Sequence, residues 1–192
     1  MEQNFKRCLD FTLALEGHPT DDARDPGGPT ALGITQATLS TWRGHAVTRE
    51  DVFALTKAEA MEIYHASYWL ATWCDAMPAG LDMLMFDMAV NPPGAPPLRL
   101  LAAQTGIVLP WRARGHRQPG SWSAQLAFLA GQCMPGVIVG LCEQRATLYR
   151  SRPGFPAYGR GWLNRVEAVQ RRSMHIWVTN GTAIPDPAGS VA

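Results

Sequence analysis

Residues 81–93, Leu-Asp-Met-Leu-Met-Phe-Asp-Met-Ala-Val-Asn-Pro-Pro, have the pattern of a helix that faces a hydrophobic core. The i, i+3, i+4, i+7 spacing of such a helix is shared by Leu81, Leu84, Met85 and Met88. The two prolines that close the segment end the helix, because proline lacks the amide hydrogen and fixes its own φ. The segment therefore predicts a core-facing helix that ends near residue 91.

The rest of the chain is predicted to be mostly helical as well. Thr48 with Asp51, and Thr56 with Glu59, have the spacing of a capping box at the start of a helix. Residues 17–35 are rich in Gly, Pro, Asp and Thr, which indicates a loop or a short hairpin. Further helices are expected at residues 3–16, 57–72, 97–105, 122–134, 136–150 and 161–178, with a basic loop at 107–121 and a turn-rich piece at 151–161. The expected fold class is mainly α, with at most a small β-hairpin near residues 20–35.

A proline-rich stretch divides the predicted helices into two groups. Residues 91–97 hold four prolines and are the best linker candidate. We therefore expect one domain over residues 1–92 and a small helical C-terminal subdomain over 93–179. Residues 180–192 are expected to form a disordered tail.

Composition excludes several classes of protein. The chain has 192 residues, of which 46% are hydrophobic and 17% charged, so a packed core is expected and a disordered chain is excluded. No apolar run approaches the roughly 18 residues needed to cross a bilayer. The N-terminal residues lack the order of a secretory signal, and we expect synthesis in the cytoplasm. The four cysteines and five histidines show no metal-ligand spacing, so buried free thiols, no metal and no cofactor are expected.

The net charge of +1 hides an asymmetry between the two halves of the chain. Residues 1–90 carry 13 acidic and 6 basic side chains, whereas residues 91–192 carry 11 basic and 3 acidic ones. The basic half indicates either an anionic partner, such as nucleic acid or a bacterial cell envelope, or simply a solvated arginine-rich face.

Glu16 is the first candidate catalytic residue. It follows Phe5 by eleven positions, which places the two within about 20° of each other around a helix. A carboxyl group at the end of an apolar stripe and at a helix C-terminus has a raised pKa, as a general acid in glycosidic bond cleavage requires. The alternative is a surface glutamate or one paired with an arginine.

A second carboxylate and several hydroxyl and aromatic groups complete the candidate site. Asp25 is either an ordinary Asp-Pro-Gly turn residue or the partner of Glu16 across a cleft, a role for which Asp21 and Asp22 compete. The hydroxyl groups of Thr30 and Thr35 lie in the predicted hairpin and could reach a sugar or an attacking water. Flat aromatic rings that could stack on sugars, or belong to the core, are those of Tyr64, Tyr68 and Trp69.

Taken together, these motifs resemble glycoside hydrolase family 108, a family of N-acetylmuramidases with a lysozyme-like fold. The resemblance rests first on Glu16-Gly17 and on Asp25-Pro26-Gly27-Gly28-x-Thr30-x-x-Gly33-Ile34-Thr35. It continues through Leu55-Thr56-Lys57-x-Glu59-Ala60, Ile63-Tyr64, Tyr68-Trp69 and Phe86-Asp87-x-Ala89-Val90-Asn91. The C-terminal part resembles a peptidoglycan-binding domain in Cys142-Glu143-x-Arg145, Pro153-Gly154-Phe155 and the segment Gly159-Arg160-Gly161-Trp162-Leu163-Asn164-Arg165-Val166.

The resemblance implies hydrolysis of the β-1,4 bond between N-acetylmuramic acid and N-acetylglucosamine in peptidoglycan. Glu16 matches the family's catalytic acid and Asp25 its Asp-Pro-Gly-Gly motif. Substrate-binding roles follow for Thr30, Thr35, Tyr64, Tyr68, Trp69 and Asn91. A role in phage-type host lysis or in wall remodelling during secretion is expected, by a monomer that reaches the periplasm or cell wall without a signal peptide, through a holin or secretion pore.

Three other functions fit parts of the sequence. A lytic transglycosylase would use one glutamate on the same bond and release an anhydro product. A module that binds peptidoglycan, or assists secretion, without cleaving it would not need Glu16. A nucleic-acid binder would use the arginine-rich half, but no recognition motif is present and no nucleic-acid partner is expected.

Overall fold

A computed structural model describes residues 2–15, 28–107, 128–129 and 134–180 of the chain. These residues fall into two compact units, the first ending at Ser67 and the second beginning at Tyr68. Most of the helix expected at 122–134, the basic loop from residue 108 and the tail beyond residue 180 lie outside the described residues. No helix among the described residues is long and apolar enough to cross a membrane.

The first unit begins with helix α1, Glu2–Leu15, as the sequence predicts. A buried face runs along this helix through Phe5, Cys8, Leu9 and Thr12. These positions follow the i, i+3, i+4, i+7 rule, so burial of apolar surface holds the helix in place. The ring of Phe5 also packs edge-on against His65, with the ring centroids 4.8 Å apart.

A small antiparallel hairpin follows, with strands β1, Thr30–Ala31, and β2, Ile34–Thr35. Three short helices come next: α2, Gln36–Arg43; α3, Arg49–Phe53; and α4, Lys57–Tyr64. Each of them is capped by a threonine hydroxyl that accepts a backbone N–H, from Thr35, Thr48 and Thr56 respectively. The fold is mainly α-helical with one small hairpin, and this confirms the predicted fold class.

The two predicted capping boxes differ in detail. At α3 the box is complete, because Thr48 accepts from the Asp51 amide and the Asp51 carboxylate accepts from the Thr48 amide. At α4 only Thr56 caps the helix. The Glu59 carboxylate instead accepts two hydrogen bonds from Arg43, at 2.9 and 2.8 Å, because a bidentate guanidinium pair is stronger than a bond to an exposed amide.

The continuous helix predicted over residues 57–72 is wrong in its second half. After α4 the backbone makes one π-helical turn, His65–Trp69, and then a 3₁₀ turn, Leu70–Thr72. Part of this irregularity is stabilised by the Thr72 hydroxyl, which donates to the Tyr68 carbonyl. A second 3₁₀ turn, Cys74–Ala76, precedes the next helix.

The second unit is built around helix α5, Leu81–Val90, which is the segment with the core-facing pattern. All eight residues from Leu81 to Met88 are buried, so the helix is covered on every side rather than on one face. At its start, Gly80 has φ +92°, and a Cβ there would lie only 2.5 Å from the Ser173 carbonyl oxygen. Glycine is therefore required where the chain enters α5.

Three more helices surround α5 in the second unit. They are α6, Pro97–Thr105; α7, Met134–Arg150; and α8, Phe155–Asn180. The end of α6 at Gly106, in the left-handed conformation, is as predicted. The α8 helix starts six residues earlier than predicted, and Pro156 falls in its first turn, where proline is tolerated.

The boundary between the two compact units lies at a different place in the sequence from the boundary between the two predicted domains. The units meet at Ser67 and Tyr68, and α5 packs with α7 and α8 in the second unit. The boundary predicted from the proline-rich stretch, between residues 92 and 93, concerns functional domains. That division, with its catalytic and wall-binding parts, stays a prediction.

Candidate active site

The two predicted catalytic carboxylates, Glu16 and Asp25, lie outside the described residues, as do Asp21 and Asp22. Their catalytic roles therefore stay predictions. The structure describes the two elements that flank these carboxylates in the sequence, which are α1 before Glu16 and the hairpin after Asp25. Thr12, four residues before Glu16 in the sequence, is fully buried, and its hydroxyl has no hydrogen-bond partner among the described residues.

The hairpin is a tight one, with Thr30 opposite Thr35 and Ala31 opposite Ile34. Its two-residue turn consists of Leu32, φ +51°, and Gly33, φ +75°. A turn of this type needs positive φ at both positions, which glycine adopts freely and leucine adopts only at a cost. Leu32 is 36% exposed, so burial of its side chain offsets only part of the conformational cost of the turn.

The predicted binding residues Thr30 and Thr35 use their hydroxyls within the hairpin. Thr30 donates to the Gly28 carbonyl at 3.2 Å, which leaves its oxygen able to accept another hydrogen bond. Thr35 accepts from the Thr38 amide and bonds to the Thr38 hydroxyl at 3.0 Å, so it caps α2. Thr30 is therefore the better placed of the two to contact a ligand.

Two of the predicted aromatic contacts belong to the core. Tyr64 is 1% exposed, and its hydroxyl donates to the Leu32 carbonyl at 3.1 Å, which ties the hairpin turn to α4. Trp69 is 2% exposed and packs edge-on against Phe86. Tyr68 is half-buried. The roles predicted for these rings in substrate binding stay predictions, and the geometry gives Tyr64 and Trp69 supporting positions.

The last predicted binding residue, Asn91, belongs to a buried polar network, which we call the Asp87 cluster. Its members are Asp87, Asn91, Arg145, Tyr149 and Arg165. The Asp87 carboxylate accepts from Arg145 at 2.6 Å and from Arg165 at 2.7 Å. Arg145 also donates to the Asn91 carbonyl, and the Tyr149 hydroxyl donates to the Asn91 side-chain oxygen at 2.8 Å. The cluster thereby joins the end of α5 to α7 and α8.

Because the Asp87 cluster is buried, it is costly to leave any of its charges without a partner. The side chains of Asp87 and Arg145 are 0% exposed, and that of Arg165 is 10% exposed. One carboxylate thus faces two guanidinium groups away from water, where an unpaired charge is expensive. Asp87 is the charge partner of both arginines in this network, and Arg145 also donates to the Asn91 carbonyl and to the Tyr149 hydroxyl.

Aromatic rings cover one side of the cluster. Trp162 packs against Tyr149, with ring centroids 5.3 Å apart, and also contacts Phe155 and Tyr158. Sequence reasoning noted the motifs that contain these residues but did not predict that they meet. The sequence signals that could have predicted this cluster are charged residues in predicted helices: Asp87 in α5, Arg145 in α7 and Arg165 in α8.

Outside the Asp87 cluster, hydrogen bonds and burial shift the pKa of several other groups in the described part of the chain. The hydrogen bonds from Arg43 lower the pKa of Glu59, and the hydrogen bonds from Thr48 lower the pKa of Asp51. Burial raises the pKa of the Cys142 thiol to about 12 and that of Cys74 well above its usual value. Cys8, Cys74 and Cys142 are buried and free, as predicted; Cys133 lies outside the described residues.

Comparison with known proteins defines the class. The family model described as glycosyl hydrolase 108 matches residues 9–92. A solved structure titled "Structure of Brucella abortus SagA" is 30% identical to the chain, with a TM-score of 0.77. That alignment covers 92% of this chain and 97% of the other. No curated protein matches the chain.

The fold and these similarities define a glycosidase with a mainly α-helical, lysozyme-like fold. The chain belongs to glycoside hydrolase family 108. It is a peptidoglycan hydrolase, and peptidoglycan is its substrate. The family match contains Glu16, the hairpin and α5, while the helices α7 and α8 lie beyond it.

Proposed function

We propose that the chain is an N-acetylmuramidase that hydrolyses the β-1,4 bond between N-acetylmuramic acid and N-acetylglucosamine. Glu16 is the general acid that protonates the leaving oxygen. The observation that supports this role best is the buried face of α1. Thr12, the last buried position of that face, stands four positions before Glu16 in the sequence, which is the spacing of a helical repeat.

Asp25, or a water held near Thr30, meets the sugar from the opposite side. The Thr30 oxygen can still accept a hydrogen bond from such a water, which supports this part of the proposal. A covalent route needs carboxyl groups about 5 Å apart, and a route through water needs about 6.5–9.5 Å. NMR of the first product formed decides between them, because the covalent route retains the anomeric configuration and the route through water inverts it.

The biological setting that we propose is phage-type lysis or wall remodelling during secretion. The enzyme acts as a monomer in the periplasm or cell wall, which it reaches through a holin or secretion pore. The support is chemical, since the substrate is found only in the wall. Fractionation of expressing cells, with and without a co-expressed holin, tests this setting: wall degradation that does not depend on any pore would contradict it.

Mass spectrometry of digested peptidoglycan tests the reaction itself. Purified sacculi are incubated with the chain and the released fragments are analysed. Fragments that end in a reducing N-acetylmuramic acid support the proposal. Reducing N-acetylglucosamine ends would mean cleavage of the other glycosidic bond. Anhydro-muramic ends would mean a lytic transglycosylase, and no release at all would leave a binding module.

A further inference from the structure

A groove on the second unit lies between α7 and α8, outside the family match and outside the Asp87 cluster. Its volume is about 470 Å³. The floor is formed by the buried side chains of Cys142, Ala146 and Val166. Burial keeps the pKa of the Cys142 thiol at about 12, so this floor carries no charge at neutral pH.

The charged side chains at the edges of the groove are separated by sign. Glu143 and Arg150 both lie on α7 and are seven residues apart, which is about 10 Å along a helix axis. The two helices run antiparallel across residues 151–154, with Tyr149 packed against Trp162. From that register Glu167 on α8 lies beside Glu143. One end of the groove is therefore acidic and the other is basic.

These charged groups are available to a ligand. Neither the Glu143 carboxylate nor the Arg150 guanidinium has a hydrogen-bond or ion-pair partner within the described part of the chain. Glu167 pairs with Arg171 at 2.6 Å, but both side chains are 67% exposed. An exposed pair of this kind contributes little and can be exchanged for a ligand contact.

We propose that this groove binds a short dipolar peptide, with an ammonium group between Glu143 and Glu167 and a carboxylate on Arg150. About 10 Å is also the reach from the side-chain ammonium of an extended lysine to the carboxylate of the residue that follows it. Sugar rings prefer to stack on aromatic faces, and no aromatic side chain lines the groove among the described residues. Two carboxylates at one end also disfavour a polyanion such as nucleic acid.

The peptide stem of peptidoglycan has this chemistry, because it carries the ammonium of a diamino acid and a terminal carboxylate. This identification rests on the proposed function. The groove would then hold the stem peptide while the first unit cleaves the glycan.

The test uses isothermal titration of the whole chain with N-acetyl-L-Ala-γ-D-Glu-L-Lys-D-Ala. We expect binding that weakens about tenfold in Arg150→Gln and in the double variant Glu143→Gln, Glu167→Gln. A peptide with a C-terminal amide should be insensitive to Arg150→Gln, and one with an acetylated lysine should be insensitive to the double variant. Arg99→Gln, an exposed arginine on α6, serves as the control and should bind normally.

Two results would overturn the proposal: no binding of the tetrapeptide, or binding that all of these variants leave unchanged. Failure of the proposed function is seen separately. The groove variants should cleave peptide-free glycan strands at the normal rate, and Glu16→Gln should still bind the tetrapeptide. A chain that binds the peptide but releases no fragments that end in muramic acid would support the groove proposal and contradict the muramidase proposal.

Discussion

Replacing Asp87 by asparagine should destabilise the second unit strongly. The substitution keeps the shape of the side chain but removes the charge that Arg145 and Arg165 share at 2.6 and 2.7 Å. Loss of one partner from a buried ion pair costs about 3–5 kcal/mol. For a chain of this size, 1 kcal/mol corresponds to about 2–4 °C in Tm, so we expect a fall of about 6–20 °C.

Differential scanning calorimetry measures this effect, and two further variants make the result specific. Arg171→Gln breaks the exposed pair with Glu167 and should lower Tm by no more than about 2 °C. The triple variant Asp87→Leu, Arg145→Met, Arg165→Met removes all three charges and should be more stable than Asp87→Asn. A fall below about 3 °C for Asp87→Asn would show that the cluster does not depend on its single carboxylate.

Three smaller changes test other parts of the structure. Leu32→Gly should raise stability by about 1 kcal/mol, because glycine adopts the positive φ of the hairpin turn without strain; a lower Tm in calorimetry would contradict this. Glu59→Gln should be less stable than the parent at pH 6, and this difference should shrink as pH falls below the usual carboxyl range. The lowered pKa of Glu59 means that its pair with Arg43 stabilises the fold above the usual carboxyl range and loses this effect as pH falls through the lowered value. Thermal unfolding of both proteins from pH 6 into the acid range measures this difference, and a difference that does not shrink as pH falls would contradict the prediction. Cys74 and Cys142 should resist iodoacetamide at pH 8 in the folded protein and react after denaturation, as followed by peptide mapping, since burial raises the pKa of both thiols; labelling in the native state would contradict their burial.

Local signals in the sequence were sufficient to predict most individual elements. The apolar spacing of 81–90 identified α5, Gly106 identified the end of α6, and Thr48 identified the start of α3. Each of these signals acts over one or two helical turns, where backbone geometry and capping dominate. The prediction that α4 continues to residue 72 failed because a π turn at His65–Trp69 interrupts the helix, and apolar spacing carries no signal for such a turn.

The Asp87 cluster could not be predicted from local pattern. Arg145 is 58 residues from Asp87 in the sequence, and Arg165 is 78 residues away. Only the packing of α7 and α8 on α5 brings them together. The sequence did contain a clue, because an aspartate among the apolar residues of a buried helix must find a partner in the core.

The candidate site was predicted by resemblance rather than by pattern. Spacing alone made Glu16 one candidate among several carboxylates, and the family motif singled it out. The structure adds what spacing could not supply: the Tyr64 hydroxyl holds the hairpin turn, and the Thr35 hydroxyl caps α2. Both residues therefore support the hairpin that carries Thr30.

The activity of Glu16→Gln on purified peptidoglycan tests the central claim most directly. The amide cannot donate a proton as a carboxylic acid does, and loss of a general acid typically costs 10²–10⁴ in rate. Glu62→Gln, the same change at an exposed position on α4, is the matched control. We expect Glu62→Gln to release muropeptides at the parent rate and Glu16→Gln to release less than a hundredth as much with an unchanged Tm. A Glu16→Gln protein that keeps a tenth or more of the parent activity would remove Glu16 from the role of acid.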